Sequence, residues 1–472
     1  MTLVFLANGL LVMAMSGMMA LIALIYPDTR GVFLEAATLT GFMGGLIVLA
    51  LLNRPREFSR LHSFLLTGTI WITGATMGAV PLWLWQMAPV DAFFESMSGI
   101  TTTGSTVMTG LDTMPRGILL WRGLLQWLGG IGFIVAGIAL LPILRVGGMQ
   151  LFKTESSEKG DKEMATAARF AGTTLWVYLG LTLSCIVVYR IGGMSVFDAI
   201  VHAMTTLSTG GYSTSDSSFG QFQSPFLEWS ATLFMACGGL PFAWYMRVLG
   251  RGDWRSEQVR ALLILFAVSI TMLTAWRVWT SGAPVFEALR QVSFNVVSVV
   301  TTTGFATVDY TEWGAFAAVA FLVLTALGGC TGSTSGGAKM MRWVIVLKLL
   351  AIRFRRVRLP HAVLVARYQG RAVGDDVVTG VMTFFVLYVI TVFGLAILLD
   401  FYGLDLTTSF SGALTAVANV GPGIGDTIGP AGNFSTLPDG AKWWLALGMY
   451  AGRLEMMTVF VLFTRVFWRE AL

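Results

Sequence analysis

The chain contains, between two long apolar segments, the stretch Asp91-Ala-Phe-Phe-Glu-Ser-Met-Ser-Gly-Ile-Thr-Thr-Thr-Gly104-Ser. Three other stretches match it when all four are aligned on a central glycine, and each also lies between apolar segments. They are Phe197-Asp-Ala-Ile-Val-His-Ala-Met-Thr-Thr-Leu-Ser-Thr-Gly210-Gly, Asn295-Val-Val-Ser-Val-Val-Thr-Thr-Thr-Gly304-Phe and Leu414-Thr-Ala-Val-Ala-Asn-Val-Gly421-Pro. The repeated unit is a long helix, a short amphipathic helix, a glycine tract and a second long helix, which predicts internal repeats.

The composition is that of a membrane protein. Of the 472 residues, 55% are hydrophobic and only 12% are charged, whereas soluble domains contain about 25% charged residues. A helix needs about 20 apolar residues to span a bilayer. Ten candidate spans occur, at residues 3–25, 33–52, 62–85, 117–143, 166–191, 226–249, 260–280, 313–350, 377–400 and 442–467.

Basic residues are concentrated in every second connector between these spans. They are Arg54, Arg56, Arg60, Arg145, Lys153, Lys159, Lys162, Arg169, Arg247, Arg251, Arg255, Arg260, Arg353, Arg355, Arg356, Arg358, Arg367, Arg371, Arg465 and Arg469. This positive-inside pattern places those connectors and both termini in the cytoplasm and the glycine tracts toward the outer side. It also accounts for the net charge of +5, so we expect no nucleic-acid partner.

The glycine tracts are predicted to line a path for ions. Irregular backbone at membrane depth is tolerated only inside protein or along a water-filled path, and rings of carbonyl oxygens can replace the hydration shell of K+. Close helix packing is the usual role of a single such tract, but four copies at equivalent positions favour the ion path. The candidate K+ residues are Thr102, Thr103, Gly104, Ser208, Thr209, Gly210, Thr302, Thr303, Gly304, Asn419, Val420 and Gly421. In this alignment only the fourth tract lacks a threonine hydroxyl, at Val420.

The predicted fold is therefore an all-α polytopic membrane protein. Two N-terminal transmembrane helices occupy residues 1–60, and four helix–re-entrant pore loop–helix repeats follow in a pseudo-fourfold arrangement around one pore. The repeats are predicted at residues 61–150, 151–255, 256–360 and 361–472.

A run of small residues, the glycine-rich segment (residues 326–339), interrupts the eighth apolar span. Glycine costs about 1 kcal/mol relative to alanine in a helix, so we expect a break here, and a movable gate is favoured over a static kink or a tight helix crossing. The gate candidates are Gly328, Gly329, Thr331, Gly332, Ser333, Ser335, Gly336, Gly337 and Lys339. Arg453, in the tenth span, is expected to contact this segment through its guanidinium. The alternative for Arg453 is a structural ion pair, for example with Glu455.

Catalytic and metal-binding signatures are missing from the sequence. The three cysteines and three histidines are scattered, and no nucleophile–base or zinc-binding motif occurs, so the chain is predicted not to be an enzyme. Glu95 and His202, within the short helices, are expected to support the tracts by hydrogen bonding. A docking scaffold remains a further alternative, although it leaves the outer glycine tracts without a role.

The four tracts resemble the filter sequences of the Trk/Ktr/HKT potassium transporter superfamily. The two extra N-terminal helices, the glycine-rich segment and Gly452-Arg453-Leu-Glu455 are most similar to the bacterial TrkH type. The resemblance covers essentially the whole chain.

The resemblance implies uptake of K+ and Rb+ over Na+ across the bacterial inner membrane, with K+ as the transported ion and no organic cofactor. It also implies a homodimer in membrane lipid, each protomer with its own pore, and a peripheral cytosolic RCK-type nucleotide-binding regulatory subunit. The segment around Gly328 to Lys339 would gate the pore and Arg453 would restrain it. Repeats of one orientation favour channel-like conduction; a proton- or sodium-coupled symporter using alternating access is the alternative.

Overall fold

The computed structural model describes residues 1–54, 60–139 and 161–471. The long or paired helices are α1 (Thr2–Ile25), α2 (Arg30–Leu51), α3 (Arg60–Leu84), α5 (Arg116–Ala139), α6 (Asp161–Ile191), α8 (Pro225–Gly239), α9 (Phe242–Arg251), α10 (Glu257–Ser281), α12 (Ala315–Thr325), α13 (Met340–Arg358), α14 (Asp375–Phe401), α16 (Asp439–Arg453), α17 (Met457–Leu462) and α18 (Arg465–Ala471). Between them lie four short helices, α4 (Pro89–Ile100), α7 (Val196–Leu207), α11 (Val285–Val300) and α15 (Leu406–Ala418). Strands β1 (Arg367–Tyr368) and β2 (Arg371–Ala372) form a small antiparallel hairpin. The basic residues Arg56, Arg145, Lys153 and Lys159, and the predicted repeat boundary at 150/151, lie outside the described residues.

Six helices in the described part of the chain are long and apolar enough to cross a membrane. They are Thr2–Ile25, Pro27–Leu51, Leu61–Leu84, Ala171–Ile191, Glu257–Ser281 and Asp375–Phe401. Many of their large apolar side chains are exposed, and Leu49 and Ile397 are 70% or more exposed, as expected for a surface covered by lipid rather than water. This confirms the predicted class, a helical protein with several membrane spans.

The sixth predicted span, residues 226–249, is not a continuous helix as the sequence predicted. Helices α8 and α9 meet at an angle of 94°, with Leu240 and Pro241 between them. Proline lacks the N–H that would continue the helix, and it restricts the preceding residue to extended conformations. The α8–α9 pair qualifies as a membrane span only if its two bent parts are counted together.

The tenth predicted span, residues 442–467, is also wrong as a single helix. Helix α16 ends at Arg453, and Glu455 and Met456 adopt positive φ angles of 61° and 33° before α17 begins. The eighth span, by contrast, breaks where the sequence predicted, since α12 ends at Thr325 and α13 begins at Met340.

The four short helices hold the glycine tracts. Each begins in a loop, with Ser195 accepting a hydrogen bond from the Asp198 N–H at α7 and Asp405 accepting one from the Thr408 N–H at α15. These side-chain caps satisfy backbone donors that would otherwise be unpaired. The last residues of all four helices are buried. Each short helix packs against the helices before and after it in sequence, with α4, for example, against α3 and α5.

Candidate functional site

The four glycine tracts share one backbone conformation. A residue with a left-handed φ of 52° to 58° follows shortly after each short helix, and a glycine with φ of 74° to 108° lies two residues further on. The left-handed residues are Thr102, Thr209, Thr302 and Asn419, and the glycines are Gly104, Gly211, Gly304 and Gly421. The middle residues are Thr103, Gly210, Thr303 and Val420, and each donates its N–H to the carbonyl five residues earlier at 2.8 to 3.1 Å.

This conformation corrects the predicted register of the second tract. The sequence alignment matched Ser208-Thr209-Gly210 with Thr102-Thr103-Gly104, but the structure matches Thr209-Gly210-Gly211 with them. Ser208 instead corresponds to Thr101, the residue directly after α4. A Gly-Gly pair leaves the alignment ambiguous, and only the backbone angles show that Gly211 is the left-handed glycine. As a result two middle positions lack a hydroxyl, Gly210 as well as Val420.

The tracts contact one another in a closed cycle. A Cβ atom placed on Gly104 would lie 2.1 Å from the carbonyl oxygen of Gly210, and one on Gly211 would lie 1.9 Å from that of Thr303. The cycle continues from Gly304 to Val420, at 2.1 Å, and closes from Gly421 to Thr103, at 2.8 Å. Only glycine allows this approach, and all four glycines line a single cavity. We call this cycle the tract ring.

Hydroxyl and amide side chains support the tract ring from behind. The hydroxyls of Thr101 and Thr103 share a hydrogen bond of 2.8 Å, and those of Thr301 and Thr303 share another of the same length. Asn419 connects the fourth tract to the first, since its Nδ2 donates to Thr103 Oγ1 at 2.9 Å. These side chains are all fully buried.

A buried ion pair joins the segments that follow the first two ring glycines. Arg122 Nε lies 2.8 Å from Glu95 Oε1, and both side chains are at most 1% exposed. Glu95 also accepts from the Val107 N–H at 3.0 Å, while Arg122 Nη1 donates to the Ser213 carbonyl at 3.1 Å. Glu95 thus makes hydrogen bonds of the kind the sequence predicted.

His202 lies behind the second tract. Its Nε2 is 3.0 Å from Ser213 Oγ and its Nδ1 is 2.9 Å from the Asp198 carbonyl.

Sequence reasoning missed Arg122 and Gln126, although two long polar side chains one turn apart in an apolar helix were a usable signal.

The glycine-rich segment contacts the tracts at the end nearer the short helices, away from the ring glycines. The Gly336 N–H donates to Thr302 Oγ1 at 2.6 Å, and Thr334 Oγ1 donates to the Leu207 carbonyl at 3.0 Å. A Cβ atom on Gly336 would lie 2.4 Å from the Ala418 carbonyl oxygen. The segment itself follows a tight path, with positive φ angles at Gly328, Gly332, Gly337 and Lys339.

Arg453 contacts the glycine-rich segment, as expected from the sequence. Its Nη1 donates to the Thr334 carbonyl at 2.9 Å and its Nη2 donates to the Gly129 carbonyl of α5 at 3.3 Å. Glu455 pairs with Arg342 of α13, with Arg342 Nη2 2.6 Å from Glu455 Oε2. Charged side chains therefore contact both the segment, through Arg453, and the start of α13, through the Arg342–Glu455 pair.

The fold and this site define a multi-pass helical membrane protein in which four glycine tracts close on one point. The family model TrkH, described as a cation transport protein, matches residues 48–469. The chain is 49% identical to the Trk system potassium uptake protein TrkI of Halomonas elongata, over 95% of this chain and 91% of that protein. It is 36% identical to the Trk system potassium uptake protein TrkH of Escherichia coli, over 98% of each.

A solved structure agrees with these sequence relatives. The crystal structure of the potassium transporter TrkH from Vibrio parahaemolyticus matches with a TM-score of 0.90 and 31% identity, over 98% of this chain and 99% of that one. The chain belongs to the TrkH family of cation transport proteins. It is accordingly a transport protein and not an enzyme, as the sequence predicted.

Proposed function

We propose that the chain takes up potassium across the bacterial inner membrane through a gated, channel-like filter that prefers K+ and Rb+ to Na+. The observation that supports this most directly is the tract ring, in which each ring glycine approaches a carbonyl of the next tract. The relatives described above include Trk potassium uptake proteins and a potassium transporter, which agrees with K+ as the transported ion.

The proposed filter consists of three residues from each tract, namely the left-handed residue, the middle residue and the ring glycine. Carbonyl oxygens there would replace the water around a dehydrating K+, and an ion of another size would be accommodated less well. With the register of the second tract corrected, the filter residues are Thr102, Thr103, Gly104, Thr209, Gly210, Gly211, Thr302, Thr303, Gly304, Asn419, Val420 and Gly421.

The proposed architecture has two extra N-terminal helices, at residues 1–60, and four helix–re-entrant loop–helix repeats, at residues 61–150, 151–255, 256–360 and 361–472. Both termini would lie in the cytoplasm. The recurrence of one tract conformation after each short helix supports this division.

The proposed gate is the glycine-rich segment, which would block the path while it contacts the third tract and the ends of the short helices that precede the second and fourth tracts. Its many glycines give the backbone a wider range of accessible φ angles than other residues would, which a movable segment requires. Arg453, through its bond to the Thr334 carbonyl, would hold the segment in the blocking position.

The proposed assembly is a homodimer regulated by a peripheral cytosolic RCK-type nucleotide-binding subunit. The relatives are named as proteins of a Trk system, and the basic cytoplasmic connectors offer a surface for an acidic partner. These assignments follow from the family resemblance and from the charge pattern.

The first test measures Rb+ and Na+ uptake into liposomes by the purified protein and by Gly304→Ala. Gly304 has φ of 81°, and a Cβ there would lie 2.1 Å from the Val420 carbonyl, so we expect this variant to lose Rb+ uptake or its preference over Na+. Gly403→Ala is the matched control, because Gly403 has φ of 84° and nothing within 4 Å. Equal effects of the two changes would refute the proposed filter.

The same liposomes separate conduction from coupled transport. We expect Rb+ uptake down its own gradient to proceed without a pH or Na+ gradient. Uptake that requires either gradient would instead identify a coupled symporter.

A further inference from the structure

Gly210 differs from the other middle residues of the tract ring because it has no side chain. Its counterparts are Thr103, Thr303 and Val420. Its φ does not lie in the left-handed region, so the backbone does not require glycine at this position. A Cβ atom there would lie only 2.4 Å from Gln126 Cδ. A side chain at position 210 would therefore have to displace the end of the Gln126 side chain, which fills the space.

Gln126 uses that space to bond the second tract twice. It lies on α5 with its side chain fully buried. Its Nε2 donates to the Gly210 carbonyl at 2.6 Å, and its Oε1 accepts from the Tyr212 N–H at 3.0 Å. The two bonds lie on either side of Gly211, the glycine that takes part in the ring contacts.

The first and third tracts are supported differently at this level. There the middle threonines, Thr103 and Thr303, share hydrogen bonds with the hydroxyls of Thr101 and Thr301. The second tract retains one hydroxyl of such a pair, at Ser208, but has no side chain at Gly210 to complete it.

The geometry points to Gln126 as a positioning residue for ion selectivity, which holds the second tract in place of the missing threonine hydroxyl. This inference rests on the proposed role of the tract ring as the filter. Where selectivity comes from the size of the carbonyl cage, it depends on how firmly the carbonyls keep their spacing around the ion. Loss of the carboxamide would free the Gly210 carbonyl to move, and the ring would then accommodate the smaller Na+ better.

The decisive variant is Gln126→Leu, which keeps much of the side-chain volume and removes both hydrogen bonds. In liposomes we expect its Rb+/Na+ uptake ratio to fall roughly fivefold, the effect of losing about one net hydrogen bond. Gln291→Leu is the control, because Gln291 bonds Arg277 and Glu287 rather than a glycine tract, and its ratio should match that of the wild type.

A second pair of variants tests whether a threonine hydroxyl at position 210 can replace the Gln126 carboxamide as the support of the second tract. Gly210→Thr alone should lower the melting temperature and uptake, because its side chain meets Gln126. Combining it with Gln126→Ala should recover both, since the space is vacated and the new hydroxyl can pair with Ser208. The double variant should also regain most of the Rb+/Na+ ratio.

An unchanged ratio in Gln126→Leu, or a double variant no better than Gly210→Thr, would overturn the inference while wild-type selectivity stands. A wild-type protein that does not discriminate between Rb+ and Na+ would instead refute the proposed function, and this inference with it.

Discussion

The ion pair between Glu95 and Arg122 shows how single residues stabilise this site. Both side chains are essentially inaccessible, and Arg122 also lies over the ring of Tyr212, with 4.1 Å between its Cζ and the ring centroid. Removing one member of a buried pair leaves an uncompensated charge, which costs far more than the pair contributes. Removal of either partner is therefore expected to destabilise the contact between the first two tract regions.

Glu95→Leu is therefore expected to destabilise the protein by about 3 to 5 kcal/mol. The measurement is the melting temperature in detergent, followed by size-exclusion chromatography. Glu257→Gln is the control, because its ion pair with Lys348 is about one-third exposed and such pairs contribute about 0 to 1 kcal/mol. Similar melting temperatures for the two variants would contradict the structural role of the buried pair.

At the scale of the elements, the glycine-rich segment contacts both the tracts and the helices around them. Besides the tracts, it bonds the α8–α9 bend, where the Cys330 N–H donates to the Gly239 carbonyl at 3.0 Å and the Phe242 N–H donates to the Gly332 carbonyl at 2.9 Å. The bend that the sequence did not predict thus provides backbone partners for the segment. A straight helix at residues 226–249 would keep those backbone groups bonded within itself.

Arg453→Ala should raise ion uptake, because the bond that holds Thr334 is lost. We expect an increase of roughly fivefold in the initial Rb+ uptake rate, the equivalent of about one hydrogen bond. Arg277→Ala serves as the control, since Arg277 bonds Gln291 and lies over the Trp313 ring, 3.9 Å from its centroid. Uptake that stays the same or falls in Arg453→Ala, with the protein still folded, would argue against restraint by Arg453.

At the scale of the whole molecule, contacts between the first and fourth tract regions close the ring. Lys442 Nζ lies 2.6 Å from Asp91 Oδ1, although the residues are 351 positions apart. The Phe434 N–H also donates to the Thr106 carbonyl at 2.8 Å.

A double-mutant cycle on Asp91→Asn and Lys442→Met measures how much the contact between these two residues stabilises the closed ring. Lys442 is 4% exposed, so we expect the two changes to be non-additive, with a coupling of about 1 kcal/mol or more. Asp439→Asn provides the comparison, because Asp439 lies 3.8 Å from the same lysine but is 71% exposed, and it should show little coupling. Additive effects of Asp91→Asn and Lys442→Met on the melting temperature would show that the contact does not stabilise the closed ring.

The sequence by itself determined the class of protein, the four tracts and the break between Thr325 and Met340. These follow from local properties, namely long apolar runs, recurring glycine tracts and a cluster of helix-breaking residues. The family resemblance, confirmed by the comparisons, followed from the same local motifs. The use of the ring as a filter and of the segment as a gate remain predictions.

Only the tertiary structure decided the register of the second tract, the bend at Pro241 and the partner of Glu455. Each depends on what lies nearby in space, and the pattern of the local sequence does not contain that information. Gly210 and Gly211 are the same residue type, so the local sequence does not distinguish them. Gly210 borders Gln126, 84 positions away, while Gly211 faces the Thr303 carbonyl. Contact across that distance, rather than local propensity, determines which glycine enters the ring.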